Sequence, residues 1–149
     1  PGLIHAIGKG VVLAEIQQTS DITYRIYDYK RKDSEGNERE LHTEEAKAAI
    51  DFDANNEYKV SYTSAENKKT ALVENEYFKT KEIKLTQSLT LDYSATDSFV
   101  IYMNIEGTTT VEVEGFTETL ELGETLLVPA CFNEVKITSK NATLLEVTI

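Results

Sequence analysis

Tryptophan is absent from this chain, cysteine and methionine occur once each, and proline and histidine twice each among 149 residues. A lone cysteine, Cys131, closes no internal disulfide, so the fold must hold by packing alone. That usage fits a reducing compartment, and a cytoplasmic location is expected. No run approaches the roughly 18 apolar residues that a membrane span needs, and the start lacks the basic and apolar stretches of a signal peptide. Basic residues are also scarce: 15 Lys and Arg stand against 26 Asp and Glu, for a net charge of −11. Nucleic acid and anionic membranes are therefore not expected as partners, because counterion release needs clustered cations. The chain opens on Pro1 instead of a methionine, and a truncated start is expected.

The charge that is present is unevenly placed. Residues 1–31 carry Lys9, Arg25, Lys30 and Arg31 against Glu15, Asp21 and Asp28, a balance of +1, which leaves −12 for residues 32–149. An anionic small molecule is thus expected near the start. The length suits one ordinary domain, or one small domain with part of another.

Periodicity divides the chain into three zones. In residues 1–29, the runs Val11 to Gln17 and Ile22 to Tyr27 alternate with period two, the pattern of half-buried strands. Ile22, Tyr24 and Ile26 share one face and Thr23, Arg25 and Tyr27 the other, because successive strand side chains point to opposite sides. Residues 30–56 open on a polar loop and continue into a short helix. Thr43 is its expected N-cap, Glu44 and Glu45 suit the positive end of the helix dipole, and Ala46, Ala49 and Ile50 form a narrow apolar stripe. Residues 57–149 are a succession of β-patterned runs, from Tyr58–Tyr62 through Leu144–Ile149. Turn signals fall at Glu106-Gly107, Glu114-Gly115 and Leu122-Gly123-Glu124. Many short, regularly spaced strands predict a sandwich or jelly-roll barrel.

The segment Pro1-Gly2-Leu3-Ile4-His5 has the layout of the second metal motif of cupin barrels, Pro-x-Gly-x-x-His, with Pro1 at the x. By itself such a pattern is weak, since a lone histidine near a strand is more often hydrogen-bonded than metal-bound. The longer run adds His5-Ala6-Ile7-Gly8-Lys9-Gly10, Glu15 through Tyr29, and Arg39-Glu40-Leu41-His42. Together these residues resemble the bacterial type I mannose-6-phosphate isomerases. Residues 1–42 carry the specific resemblance, and residues 57–149 match in kind, as that family's C-terminal cupin-like barrel.

The resemblance implies a mainly β protein: the last strands of a truncated catalytic cupin barrel over 1–29, a loop and helix connector over 30–56, and a metal-free cupin-like jelly roll over 57–149. It places His5 on a zinc ligand, Arg25 on the catalytic arginine and Glu15 on a pocket carboxylate, with Arg31 near a basic substrate-binding side chain. Zinc is the implied cofactor, and its remaining ligands, a Gln, a His and a Glu, belong to an upstream half that this sequence does not contain. The implied substrate is a sugar phosphate, and the strands of residues 1–29 are expected to pair with that missing half or with another chain. The fragment alone is expected to be inactive.

Plainer readings stand beside these. Glu15 and Arg25 would simply form a cross-strand ion pair, and Gln17, Gln18 and Tyr27 would be scaffold. His42 would be a solvated residue, and Cys131 a small core side chain. An internal comparison sets Val128-Pro129-Ala130-Cys131-Phe132-Asn133-Glu134 against the segment ending in His5, with Glu134 in the histidine's place and no histidine beyond His42. Rival functions are a non-catalytic binding or assembly module and a metal-free sugar-binding cupin.

Overall fold

The computed structural model describes residues 2–19, 22–53 and 58–149. Its contacts divide the chain into two compact units, residues 1–58 and 59–149.

The second unit contains nine strands: β1 (Lys69–Glu74), β2 (Lys79–Leu85), β3 (Leu89–Asp92), β4 (Val100–Gly107), β5 (Thr109–Val113), β6 (Phe116–Leu120), β7 (Thr125–Val128), β8 (Glu134–Thr138) and β9 (Ala142–Thr148). They form a five-stranded sheet in the order β1-β2-β9-β4-β7 and a four-stranded sheet in the order β3-β8-β5-β6. Every strand pair in both sheets is antiparallel. The core lies between the sheets, where Ile83, Leu85, Val100, Tyr102, Val128 and Leu144 meet Leu91, Val111, Leu120, Val135 and Ile137.

Period-two patterning explains this division. On β8, Val135 and Ile137 are buried while Glu134 is exposed. β9 breaks the alternation, with all seven residues buried. It lies between β2 and β4, and Tyr62, from the irregular segment before β1, brings its hydroxyl within 3.5 Å of Glu82 on the face opposite Ile83. A strand buried on both faces has no need of a polar side.

The turn signals at Glu114-Gly115 and Gly123 lie where expected. Glu114 and Gly115 both take positive φ between the paired Val113 and Phe116, as a two-residue hairpin requires. Gly107 ends β4, opposite Ala142, two residues before β5 starts in the other sheet. Its φ is +69°, and a Cβ there would stand 2.1 Å from the Asn141 carbonyl oxygen. The run Tyr58–Tyr62, expected as a strand, pairs with no sheet.

The first unit departs further from the expected strands. Neither Val11–Gln17 nor the described Ile22–Tyr27 forms a ladder, and Val11, Val12, Leu13 and Ile22 are exposed. Alternation makes a segment fit for a sheet, but a strand exists only where a neighbouring backbone takes up its N–H and C=O groups. Ser20 and Asp21, part of the resemblance, lie outside the described residues. The helix α1 spans Thr43–Ala49, with His42 in the N-cap position, one residue before the expected Thr43, and without a side-chain cap bond. Ala46 is its buried residue and Ile50 is half-buried, while Ala49 is exposed, so the expected stripe is narrower still. Gly2, at φ +85°, accepts a hydrogen bond on its carbonyl from Asp51 N–H at 3.0 Å, beyond the end of the helix.

Candidate functional site

Arg25 is the best-anchored of the residues singled out in the first unit. Its N–H donates to His42 Nδ1 at 3.1 Å, its carbonyl accepts from His42 N–H at 2.7 Å, and its Nη1 donates to the Glu40 carbonyl at 3.3 Å. His42 is thus half-buried and bonded, not merely solvated, because its ring spans the gap between the helix start and the Arg25 backbone. The cross-strand pair with Glu15 does not form: Glu15 is exposed, and no ion pair among the described residues includes it. Without a ladder, nothing brings the two side chains opposite each other.

His5 is exposed, and its Nδ1–H donates to the Leu3 carbonyl at 3.1 Å. With the proton on Nδ1, Nε2 carries the ring's lone pair, the tautomer in which an imidazole can bind a metal. Among the described residues no three His, Cys, Asp or Glu side chains come together. A catalytic zinc draws on three protein ligands, more than the described residues bring together around His5. The structure brings none of His5, Glu15 and Arg25 into contact.

Arg31 belongs to a cluster that pattern reading missed. Asp28, Tyr29, Lys30 and Arg31 make a tight turn, with Tyr29 and Lys30 both at positive φ and Arg31 N–H bonded to the Asp28 carbonyl at 3.0 Å. Lys32 and Glu38 then bridge antiparallel. The Asp28 carboxylate accepts from Arg39 Nε at 2.8 Å and Nη2 at 3.1 Å, and from Arg31 Nε at 3.0 Å. Arg31 Nη2 also bonds it. Hydrogen bonds from Arg39, and next from Arg31, hold the Asp28 carboxyl well below the usual carboxylate range. The only sequence signal for this arrangement was the i,i+3 spacing of Asp28 and Arg31.

Inside the second unit lies a polar cluster of a different kind. Lys81 on β2 and Tyr102 on β4 stand opposite Glu146 on β9, so all three share the inner face. The Tyr93 hydroxyl donates to Glu146 Oε2 and is bonded to the Tyr102 hydroxyl. Lys69 Nζ approaches Glu146 Oε2 at 2.7 Å, and Lys81 Nζ lies 3.9 Å from Oε1. Burial pushes the ionisation of both phenols above the ordinary tyrosine range. The network satisfies its own members, which makes it a polar core and not an open site.

Two cavities open elsewhere in this unit. One of about 120 Å³ is apolar, lined by Val111, Phe116, Leu126, Val128 and Phe132; the other, of about 250 Å³, is polar, between Glu66, Lys84, Glu106 and Thr143. Neither contains His5, Glu15, Arg25 or Arg31, although Val128, Pro129 and Phe132, from the segment set against His5, line the apolar one. Cys131 is exposed instead of buried, since the turn bonded from Phe132 N–H to the Pro129 carbonyl carries it outward. Glu134, set against His5 by offset, is likewise exposed, at the start of β8.

Two antiparallel sheets closed over a common core, with a second strand-poor unit before them, define a protein of the cupin class. The family model "Mannose-6-phosphate isomerase, cupin domain" matches residues 68–148, nearly the whole barrel, and the chain belongs to that family. It is 35% identical to mannose-6-phosphate isomerase ManA of Bacillus subtilis over 138 residues, covering 91% of this chain and 43% of the relative. It is 32% identical to the mannose-6-phosphate isomerase of Streptococcus mutans, covering 86% and 40%. The crystal structure of the mannose 6-phosphate isomerase from Bacillus subtilis superimposes with a TM-score of 0.72 at 32% identity, over 87% of this chain and 41% of that one. The chain therefore spans about two fifths of the length of these relatives.

Proposed function

We propose that this chain is the C-terminal portion of a zinc-dependent aldose–ketose isomerase that interconverts mannose 6-phosphate and fructose 6-phosphate, and that it is inactive by itself. The observation that carries this reading is the extent of the likeness to the Bacillus subtilis relative. A match over 91% of the chain cannot omit the segment from Arg25 to Arg39, so it reaches beyond the barrel into the segment that holds Arg25 and Arg31.

The chemistry gives those residues their roles. Moving a proton between C1 and C2 passes through an enediolate, and negative charge develops on the sugar oxygens. Zinc, when bound, supplies Lewis-acid polarisation of such oxygens. His5 offers Nε2 as one ligand, because its Nδ1–H is committed to the Leu3 carbonyl. Arg25 has a fixed backbone and one nitrogen resting on the Glu40 carbonyl, which leaves guanidinium donors to stabilise a developing oxyanion. Glu15, exposed and in no ion pair among the described residues, suits proton transfer or the orientation of a ligand. Arg31 supplies positive charge for the phosphate.

Assaying this chain and its full-length parent with mannose 6-phosphate and zinc tests the reading. Turnover is expected from the parent alone. Turnover by the isolated chain would refute the need for ligands from outside it, and an inactive, zinc-loaded parent would remove the isomerase assignment.

A further inference from the structure

The antiparallel bridge between Lys32 and Glu38 sets Arg31 opposite Arg39 one step along the hairpin. Like charges directly opposite each other destabilise a strand pair. Here a third group intervenes: the Asp28 carboxylate, only 6% exposed, accepts from Arg31 Nε at 3.0 Å and Arg39 Nη2 at 3.1 Å on one oxygen, and from Arg39 Nε at 2.8 Å on the other. Two guanidiniums against one carboxylate leave an excess of one positive charge. The arginine side chains stay 64% and 51% exposed, so that charge faces solvent.

The geometry also leaves donors free. Each guanidinium meets Asp28 through its Nε and Nη2 edge, and its Nη1 hydrogens remain unspent. Lys30 and Lys32 are exposed beside them. The other carboxylate in this loop, Asp33, is turned onto its own backbone, accepting from the N–H groups of Glu35 and Asn37 at 2.9 Å each.

We infer that Arg31 and Arg39, held side by side by the buried Asp28 carboxylate, form a seat for a phosphate monoester, with Asp28 as the positioning residue. A planar guanidinium presents two parallel N–H donors to two phosphate oxygens, and two of them fixed on a common anchor need little ordering when the anion arrives. The identity of the phosphate carrier rests on the isomerase reading above; the seat itself does not.

Titrating the 149-residue chain with inorganic phosphate, mannose 6-phosphate and mannose, read on the Nε–Hε NMR signals of Arg31 and Arg39, tests the inference. Both phosphate compounds should shift the two signals saturably, and mannose should not. Arg39→Lys keeps the charge but loses the fork, and should weaken phosphate binding about tenfold, the worth of one charge-assisted hydrogen bond. Asp28→Asn gives the sharpest contrast. It removes a negative charge, so simple attraction predicts tighter binding, whereas a positioning role predicts weaker binding. Tighter or unchanged binding in Asp28→Asn with the hairpin intact, or no response of either arginine to inorganic phosphate, overturns the inference. If that variant loses the hairpin, Arg39→Lys decides, and unchanged affinity there is equally fatal. Arginine signals that respond as expected while the full-length parent lacks isomerase activity would leave the seat standing and remove the isomerase reading.

Discussion

Lys69 Nζ lies 2.7 Å from Glu146 Oε2 and 4.1 Å from the centre of the Tyr93 ring, so one ammonium serves a carboxylate that is 1% exposed and the aromatic face beside it. The pair joins β1 to β9 across β2, and Tyr93 adds the segment after β3. Glu146→Ala should therefore destabilise the barrel by about 3–5 kcal/mol, because it strands Lys69 and leaves the two mutually bonded tyrosine hydroxyls one acceptor short. Glu146→Gln should cost less, since an amide oxygen still accepts. Urea unfolding provides the measurement, and an Ala variant as stable as the parent would show that water replaces the carboxylate without penalty.

Tyr93 and Tyr102 should stay neutral in the folded barrel as pH passes the ordinary tyrosine value of about 10. Their ionisation is raised on folding, so the stability linked to it is complete below the unfolded value and is lost as pH climbs above it. Alkaline unfolding and the ionisation of these two phenols should then coincide. Absorbance titrations of Tyr93→Phe and Tyr102→Phe against the parent would expose any reversible ionisation near pH 10 in the folded state, which contradicts this picture.

Gly107→Ala should be strongly destabilising. A left-handed backbone alone costs a non-glycine residue about 1–2 kcal/mol, and the added methyl would also collide with the Asn141 carbonyl. Neighbouring Asn104 is fully buried, donating to the Gly107 carbonyl at 2.6 Å and accepting from the Thr109 hydroxyl at 3.0 Å. Thermal melts should show Gly107→Ala well below Gly115→Ala, whose Cβ meets open space at a similar φ. Equal melting temperatures would mean that the β4–β9 end shifts to make room.

Amide exchange should divide the chain sharply. Val12 to Ile16 have no ladder partner among the described residues and should exchange within the dead time of a manual experiment, while β2, β4 and β9 should be protected to the limit of global unfolding. Protection of Val12 to Ile16 in a dilute monomer would indicate a paired strand that the structure does not contain.

Arg25 should matter to turnover in the full-length parent more than to folding. Its side chain makes one 3.3 Å bond to the Glu40 carbonyl, whereas its backbone does the anchoring through His42. Arg25→Ala should lower kcat by at least about a hundredfold if it stabilises developing charge, with a melting temperature close to the parent's. Arg25→Lys should stay strongly impaired, because the planar fork is lost. Loss of folding in both variants would point to a structural role.

The alternating runs of β4 and β8, the Glu114-Gly115 hairpin and the helix of residues 43–49 were legible because each depends on neighbours in sequence. A side chain's face follows from period two, and a two-residue turn follows from which residues tolerate positive φ. The same local rules overreached at Val11–Gln17 and Ile22–Tyr27, where the pattern is present and no strand forms among the described residues. They also misplaced Cys131 and His42, whose exposure is set by what packs or bonds nearby.

What the sequence by itself determined was the class of fold, the absence of an internal disulfide, and which residue types were available near the start of the chain. Tertiary structure alone decided that Asp28 joins Arg31 to Arg39, and that Glu146, Tyr93, Tyr102 and Lys69 meet inside the barrel across 53 positions between Tyr93 and Glu146. No periodicity encodes such meetings. They arise when strand register and chain reversal bring distant charges within hydrogen-bond reach in a place that water does not enter, and there a carboxylate must find donors or leave the core.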